Sequence, residues 1–97
     1  MPKPRRLVHS EWFDYCLQRL GDLRDVETVP AKELYRLACY ADLVPLAPGS
    51  NKLRIYQTSR LLRDDGEVIR ILIFFVLRED DVVELEHAEV IEDEEAR

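Results

Sequence analysis

Apolar and polar positions alternate with a period of two across residues 52–78, KLRIYQTSRLLRDDGEVIRILIFFVLR, which predicts two long strands joined at Asp64-Asp65-Gly66. On the second strand Ile69, Ile71, Ile73, Phe75 and Leu77 share a wholly apolar face, opposite Val68, Arg70, Leu72, Phe74, Val76 and Arg78. On the first, Leu53, Ile55 and Leu61 share one face, and Lys52, Arg54, Tyr56, Thr58 and Arg60 the other. A two-residue loop would set Arg60 opposite Ile71 and Arg54 opposite Leu77, placing charge in the core. A three-residue loop, with Gly66 in the left-handed region, sets Arg60 opposite Arg70 and Lys52 opposite Arg78. A slip of one residue would turn over every side chain, so the second register is the expectation. It yields one greasy face and one bearing Lys52, Arg54, Arg60, Arg70 and Arg78 around Tyr56, Leu72 and Phe74. Like charges placed opposite each other cost stability. Such a row is either a solvated surface balanced by nearby carboxylates or a grip for an anionic partner.

The pattern before this hairpin is helical. Arg5 to His9 is expected as a short strand lying beside the hairpin, and Ser10 as the N-cap of a helix, with Glu11 and Asp14 in its first turn. Trp12, Phe13, Cys16, Leu17, Leu20 and Leu23 recur at helical spacing, giving a helix from about Glu11 to Leu20 with Trp12 and Phe13 as core anchors. Pro30 suits the first turn of a second helix. Leu34, Leu37, Ala38, Ala41 and Val44 are its buried stripe, Lys32, Glu33 and Arg36 its outer side, and Tyr35 and Tyr40 either core or rim. Pro45, Pro48 and Gly49 end it. Val82 to Ile91 reads as strand or helix, the β-branched start favouring strand. The fold class is α+β: two N-terminal helices packed on one face of a twisted antiparallel sheet. Residues 1–91 form a single domain, followed by an acidic tail over 92–97.

Charge sharpens this picture. The net charge of the 97 residues is −6. Residues 79–97 hold ten acids against Arg97 alone, and residues 1–78 hold thirteen basic and ten acidic side chains, net +3. A mildly basic body with an acidic end is not a general nucleic-acid binder, though a local basic site stays open. The longest apolar run, Ile71 to Leu77, is a buried strand and far short of a membrane span. No apolar signal core follows the basic N-terminus, so the expected location is the cytoplasm. Cys16 and Cys39 are read as reduced packing residues, without metal-ligand spacing to His9 or His87.

No glycine-rich phosphate loop, nucleophile elbow or zinc pattern occurs, and no cofactor is implied. Nucleophilic catalysis is poorly supported, and His87 is expected at the rim or in the core. Any chemistry would come from the cations of the hairpin, gripping phosphates and stabilising a pentacovalent phosphate as an RNA 2′-hydroxyl attacks. Lys52, Tyr56 or His87 would then serve as general base.

Two helices, a strand opening Lys52-Leu53-Arg54, the run Ser59-Arg60-Leu61-Leu62, a tight acidic turn and a strongly apolar strand together resemble the RelE/ParE toxin superfamily. The opening Arg6-Leu7-Val8-His9-Ser10-Glu11-Trp12-Phe13 is similar to that family's first strand turning into its first helix. The resemblance spans about Arg5 to Arg78. It implies the toxin half of a toxin–antitoxin pair, held inactive by a cognate antitoxin protein. In the RNA-cleaving branch, basic residues on the central strands contact mRNA on the ribosome; by position these are Lys52, Arg54, Arg60 and Arg78, with Tyr56, Arg70 and Phe74 completing the binding face. The implied activity is a ribosome-dependent mRNA endonuclease. The gyrase-directed branch implies a non-catalytic module that binds DNA gyrase or another acidic partner. The leading expectation is inhibition of translation by contacting or cleaving mRNA through the basic sheet face; the absence of the family's closing His-Arg pair and tyrosine, together with the acidic end, speaks for the alternative of a non-catalytic module.

Overall fold

The computed structural model describes residues 3–19, 28–62 and 68–92. In chain order these form β1 (Leu7–His9), α1 (Glu11–Gln18), α2 (Thr28–Tyr40), a single 3-10 turn (Ala41–Leu43), β2 (Leu53–Gln57), β3 (Leu61–Leu62), β4 (Val68–Leu77) and β5 (Val83–Glu92). The strands follow the order β1-β5-β4-β2, and β3 continues the β2 edge of β4. The fold is α+β, as expected. The sheet is mixed rather than purely antiparallel, because β1 runs parallel to β5, pairing Leu7 with Val83 and His9 with Leu85. Residues 83–92 settle as strand, in agreement with their β-branched start. The turn residues 64–66 and the end of the tail, 93–97, lie outside the described residues.

Local chemistry explains where the elements begin and end. Ser10 caps α1: its hydroxyl oxygen accepts from the Phe13 N–H at 3.0 Å, satisfying one of the orphan donors of the first turn. Pro48 and Gly49 form a turn closed by Ser50 N–H donating to Ala47 O at 3.0 Å, with Gly49 at φ 79° as the third residue of a type II turn requires. Arg5 then locks three elements. Its guanidinium donates to the α2 carbonyls of Ala38 and Cys39 and pairs with Asp42 at 3.3 Å and Asp81 at 2.6 Å. The α2 C-terminus is thereby capped by a cation, which both its free carbonyls and its dipole favour.

Both helices cover one side of the sheet. Phe13, Cys16, Leu37, Ala41 and Val44 meet Ile69, Ile71, Ile73, Phe75, Val83, Leu85 and Ala88 in one core. Phe13, Leu37, Ile69, Phe75, Val83 and Leu85 are fully buried, each contributing on the order of 1.5–3 kcal/mol of transfer free energy. The apolar face expected for β4 is therefore the inner face. Trp12 is a correction: the spacing that buries Phe13 and Cys16 turns it outward, and it is 54% exposed.

The hairpin register divides in two. Near the turn, Leu61 pairs with Ile69 and Leu62 with Val68, the register that a three-residue loop requires. Further along, Leu53 pairs with Val76, Arg54 with Phe75 and Tyr56 with Ile73, one residue away from that expectation. One extra residue is absorbed between Thr58 and Leu61. The buried Thr58 occupies the junction, its N–H donating to Ile71 O at 3.0 Å and its hydroxyl accepting from Ile71 N–H at 2.9 Å. A bulge of this kind turns over the strand beyond it. Arg54 and Tyr56 consequently lie on the inner side, and Leu53 and Ile55 on the outer side beside Leu72, Phe74 and Val76.

Candidate functional site

That turn-over disperses the predicted cationic row. Lys52 is exposed just ahead of β2. Arg54 is on the inner side, where its guanidinium donates to Val44 O at 2.5 Å and ties β2 to the end of the helical layer. Arg60 is exposed within the break between β2 and β3. Arg70 is on the outer face, paired across β4–β5 with Ile91. Arg78 stands past the end of β4 in ion pairs with Asp80 at 2.8 Å and Glu84 at 3.4 Å. Of the three residues expected to complete the face, Phe74 and Arg70 are outside and Tyr56 is inside. The expectation of one shared cationic face is corrected on these placements, and the cause is the single extra residue at Thr58–Arg60.

The inner side of β2 carries a buried polar knot instead. Glu33, expected on the outer side of α2, is only 4% exposed. Its Oε2 accepts from the Tyr56 hydroxyl at 2.6 Å, and its Oε1 accepts from the Ser59 N–H at 3.1 Å and from the Ser59 hydroxyl. Arg36 Nη1 lies 3.8 Å away. Burial pushes the Glu33 carboxyl up, but the bonds from Ser59 and Tyr56 and the Arg36 charge outweigh it, and it titrates below the ordinary glutamate range. Burial, followed by the bond to Glu33, pushes the Tyr56 phenol up to about 12. Tyr56 is thus a donor held protonated, suited to fixing the bulge against α2 and unsuited to the general-base role.

A second cluster forms where β5 runs past the end of β1. β1 covers only Val83 to Leu85, and among the described residues no strand pairs with β5 beyond that point on this side. Between Leu85 and His87 the β4–β5 register shifts, Phe75 facing Leu85 and Phe74 facing His87, so that Glu86 is the extra residue. The bulge carries His87 to the margin of the sheet. There its ring lies nearly parallel to that of Trp12, at 5° with centroids 6.0 Å apart, and meets the edge of Phe74 at 5.3 Å. Trp12 Nε1–H donates to His87 Nδ1 at 2.6 Å, Cys16 Sγ lies 3.6 Å from the same nitrogen, and His87 Nε2 is 3.0 Å from Glu89 Oε1. Tyr15 packs on Trp12 at 5.4 Å, and the Arg19 guanidinium sits 5.9 Å from the Tyr15 ring centre, within cation–π range. Trp12, Tyr15, Cys16, Arg19 and His87, with Ala88 and Val90, line a cleft of about 320 Å³.

Trp12, Tyr15, Cys16 and Arg19 share one side of α1 by their spacing of three and four, a signal legible in sequence. Their meeting with His87 was not. It depends on a bulge in a strand seventy-one residues after Cys16, and nothing in the local pattern marks that bulge.

Comparison with protein-family models, with curated proteins and with solved structures finds no match to this chain.

Proposed function

We propose that this chain is a protein-binding module, the toxin-like member of a two-protein pair with a RelE/ParE-like arrangement, and that its outer sheet face seats an amphipathic segment of the partner. The observation that carries this reading is the outer face itself. Leu53 and Ile55 of β2, Leu72, Phe74 and Val76 of β4 and Ile91 of β5 lie together there by register, each half-buried. No helix of the described residues covers them. A strand that is apolar on both faces is characteristic of sheets covered on both sides, and a contiguous apolar patch rimmed by charge marks an interaction surface. Arg70, Glu84 and Glu89 supply the rim. An amphipathic helix with apolar residues at i, i+3, i+4 and i+7 and mixed charge beside them has the complementary form.

The mRNA-cleaving reading finds less support, since Arg54 and Arg70 emerge on opposite sides of the sheet and Arg78 is held between carboxylates. In a reconstituted translation reaction, mRNA should stay intact in the presence of this chain. Cleavage that Arg60→Glu abolishes would restore the nuclease reading in place of the one proposed. The direct test is co-purification with the protein encoded by the adjacent reading frame: wild type should retain it, and Phe74→Glu, still folded, should not.

A further inference from the structure

We propose that the α1–β5 cleft binds a small aromatic carboxylate, its ring seated against Trp12 and Tyr15 and its carboxylate held by Arg19. Binding there requires no partner protein.

The aromatic wall is held in place before any ligand arrives. An indole N–H can only donate, so the 2.6 Å contact from Trp12 Nε1 occupies the one lone pair of His87 Nδ1. The ring proton of His87 then resides on Nε2 and is donated to Glu89 Oε1 at 3.0 Å. The two rings meet edge to edge with their planes 5° apart, and together they make one flat surface. The chain of bonds from Trp12 through His87 to Glu89 thus fixes the indole, although Trp12 is on the surface, and Tyr15 packs beside it. A rigid aromatic surface gives up little rotamer freedom when a ligand ring settles on it, and it adds ring–ring attraction to the burial of apolar area.

Arg19 supplies the charge. Arg5 and Arg78 each lie between two carboxylates, whereas Arg19 has no carboxylate partner among the described residues and rests against the Tyr15 ring. This is a conspicuous exception in a chain of net charge −6. The planar fork of a guanidinium matches a carboxylate through two parallel hydrogen bonds, and contact with an aromatic ring leaves those donors available. A single cation, in a cleft bordered by Glu89, matches one negative charge and so a carboxylate rather than a phosphate dianion. Ala88 and Val90 give the β5 side an apolar wall. The volume of about 320 Å³ is at the lower end for small-molecule sites, which suits one ring with a short acid chain.

Trp12 is the chain's single tryptophan, so indole fluorescence reports on this cleft directly. The test titrates 3-phenylpropionate into the full chain, exciting where indole absorbs and a phenyl ring does not. Emission should change saturably. The neutral amide 3-phenylpropionamide should bind about tenfold more weakly, the order expected for loss of a charge-assisted hydrogen bond. Hexanoate, which keeps the charge and lacks the ring, should bind several-fold more weakly. Arg19→Met, an exposed position, should lose affinity for the acid about tenfold and none for the amide. Val90→Phe, which fills the cleft, should abolish the saturable response without lowering the melting temperature. A response that never saturates, equal affinity for the acid and its amide, hexanoate binding as tightly as the aromatic acid, or Arg19→Met binding like wild type overturns the proposal. The comparison of acid, amide and hexanoate needs only the wild-type protein, so it decides the matter whatever the variants do to folding.

Discussion

The two faces of β4 carry nearly the same chemistry and meet different surroundings. Ile69, Ile71, Ile73 and Phe75 are 0–3% exposed beneath the helices, while Val68, Leu72, Phe74 and Val76, one residue out of phase, are half-buried on the other side. Hydrophobicity by itself does not determine which face is covered. What determines it is where the helices dock, and they dock through Phe13, Cys16, Leu37 and Ala41 against the odd-numbered side. The even-numbered side keeps an apolar character that a purely solvated surface does not need.

The comparison is broken or sharpened most strongly by truncating one aromatic on each face. Phe75→Ala should lose about 3–5 kcal/mol in urea unfolding, the range for a fully buried phenylalanine. Phe74→Ala should lose less than about 1 kcal/mol, near the value for substitutions outside the core. Equal losses would mean that the outer face is covered as well.

Next in size is the polar knot that holds the β2 bulge. Glu33→Ala leaves the Tyr56 hydroxyl and both Ser59 donors without their acceptor, and should cost about 1–3 kcal/mol. Tyr56→Phe should cost less, about 1 kcal/mol. The pH dependence follows from the direction of each shift. The Glu33 carboxyl is lowered in the folded state, so its contribution is complete above the ordinary glutamate value of about 4.3 and is lost as pH falls through the folded-state value. The stability gap between wild type and Glu33→Gln should therefore narrow on acidification. Tyr56 is raised to about 12, so its contribution is complete below about 10 and disappears as pH rises through the folded-state value. The gap to Tyr56→Phe should close in that window, measured by urea unfolding at each pH.

The smallest effect concerns Glu86 in the β5 bulge. Burial, followed by the neighbouring Glu84 carboxylate, raises its pKa, so the charged form is disfavoured in the folded state. Glu86→Gln should therefore raise the melting temperature slightly at neutral pH and leave it unchanged in acid. A fall at neutral pH would show that the charge is stabilising.

Much of the architecture was legible in the residues. Ser10 and its first-turn acids mark the start of α1, Pro30 falls in the first turn of α2, and the odd-numbered isoleucines mark the inner face of β4. The arrangement of the hairpin's cations was not legible. The expected pairing of Leu61 with Ile69 holds, but Thr58 imitates a backbone partner for Ile71 and absorbs one residue, which no period-2 pattern reveals. The same cause moved Glu33 inward: its burial is tolerable only because Tyr56 and Ser59 arrive to satisfy it. Cys16 and His87, read separately as packing and rim residues, meet through a second bulge equally silent in the pattern.

The most direct test of the outer face is a calorimetric titration of the protein encoded next to this one into wild type and Phe74→Glu, alongside their thermal unfolding. The account predicts that Phe74→Glu binds at least about 30-fold more weakly, roughly 2 kcal/mol for an aromatic anchor, with an unchanged melting temperature. Equal affinity for the two proteins would contradict it.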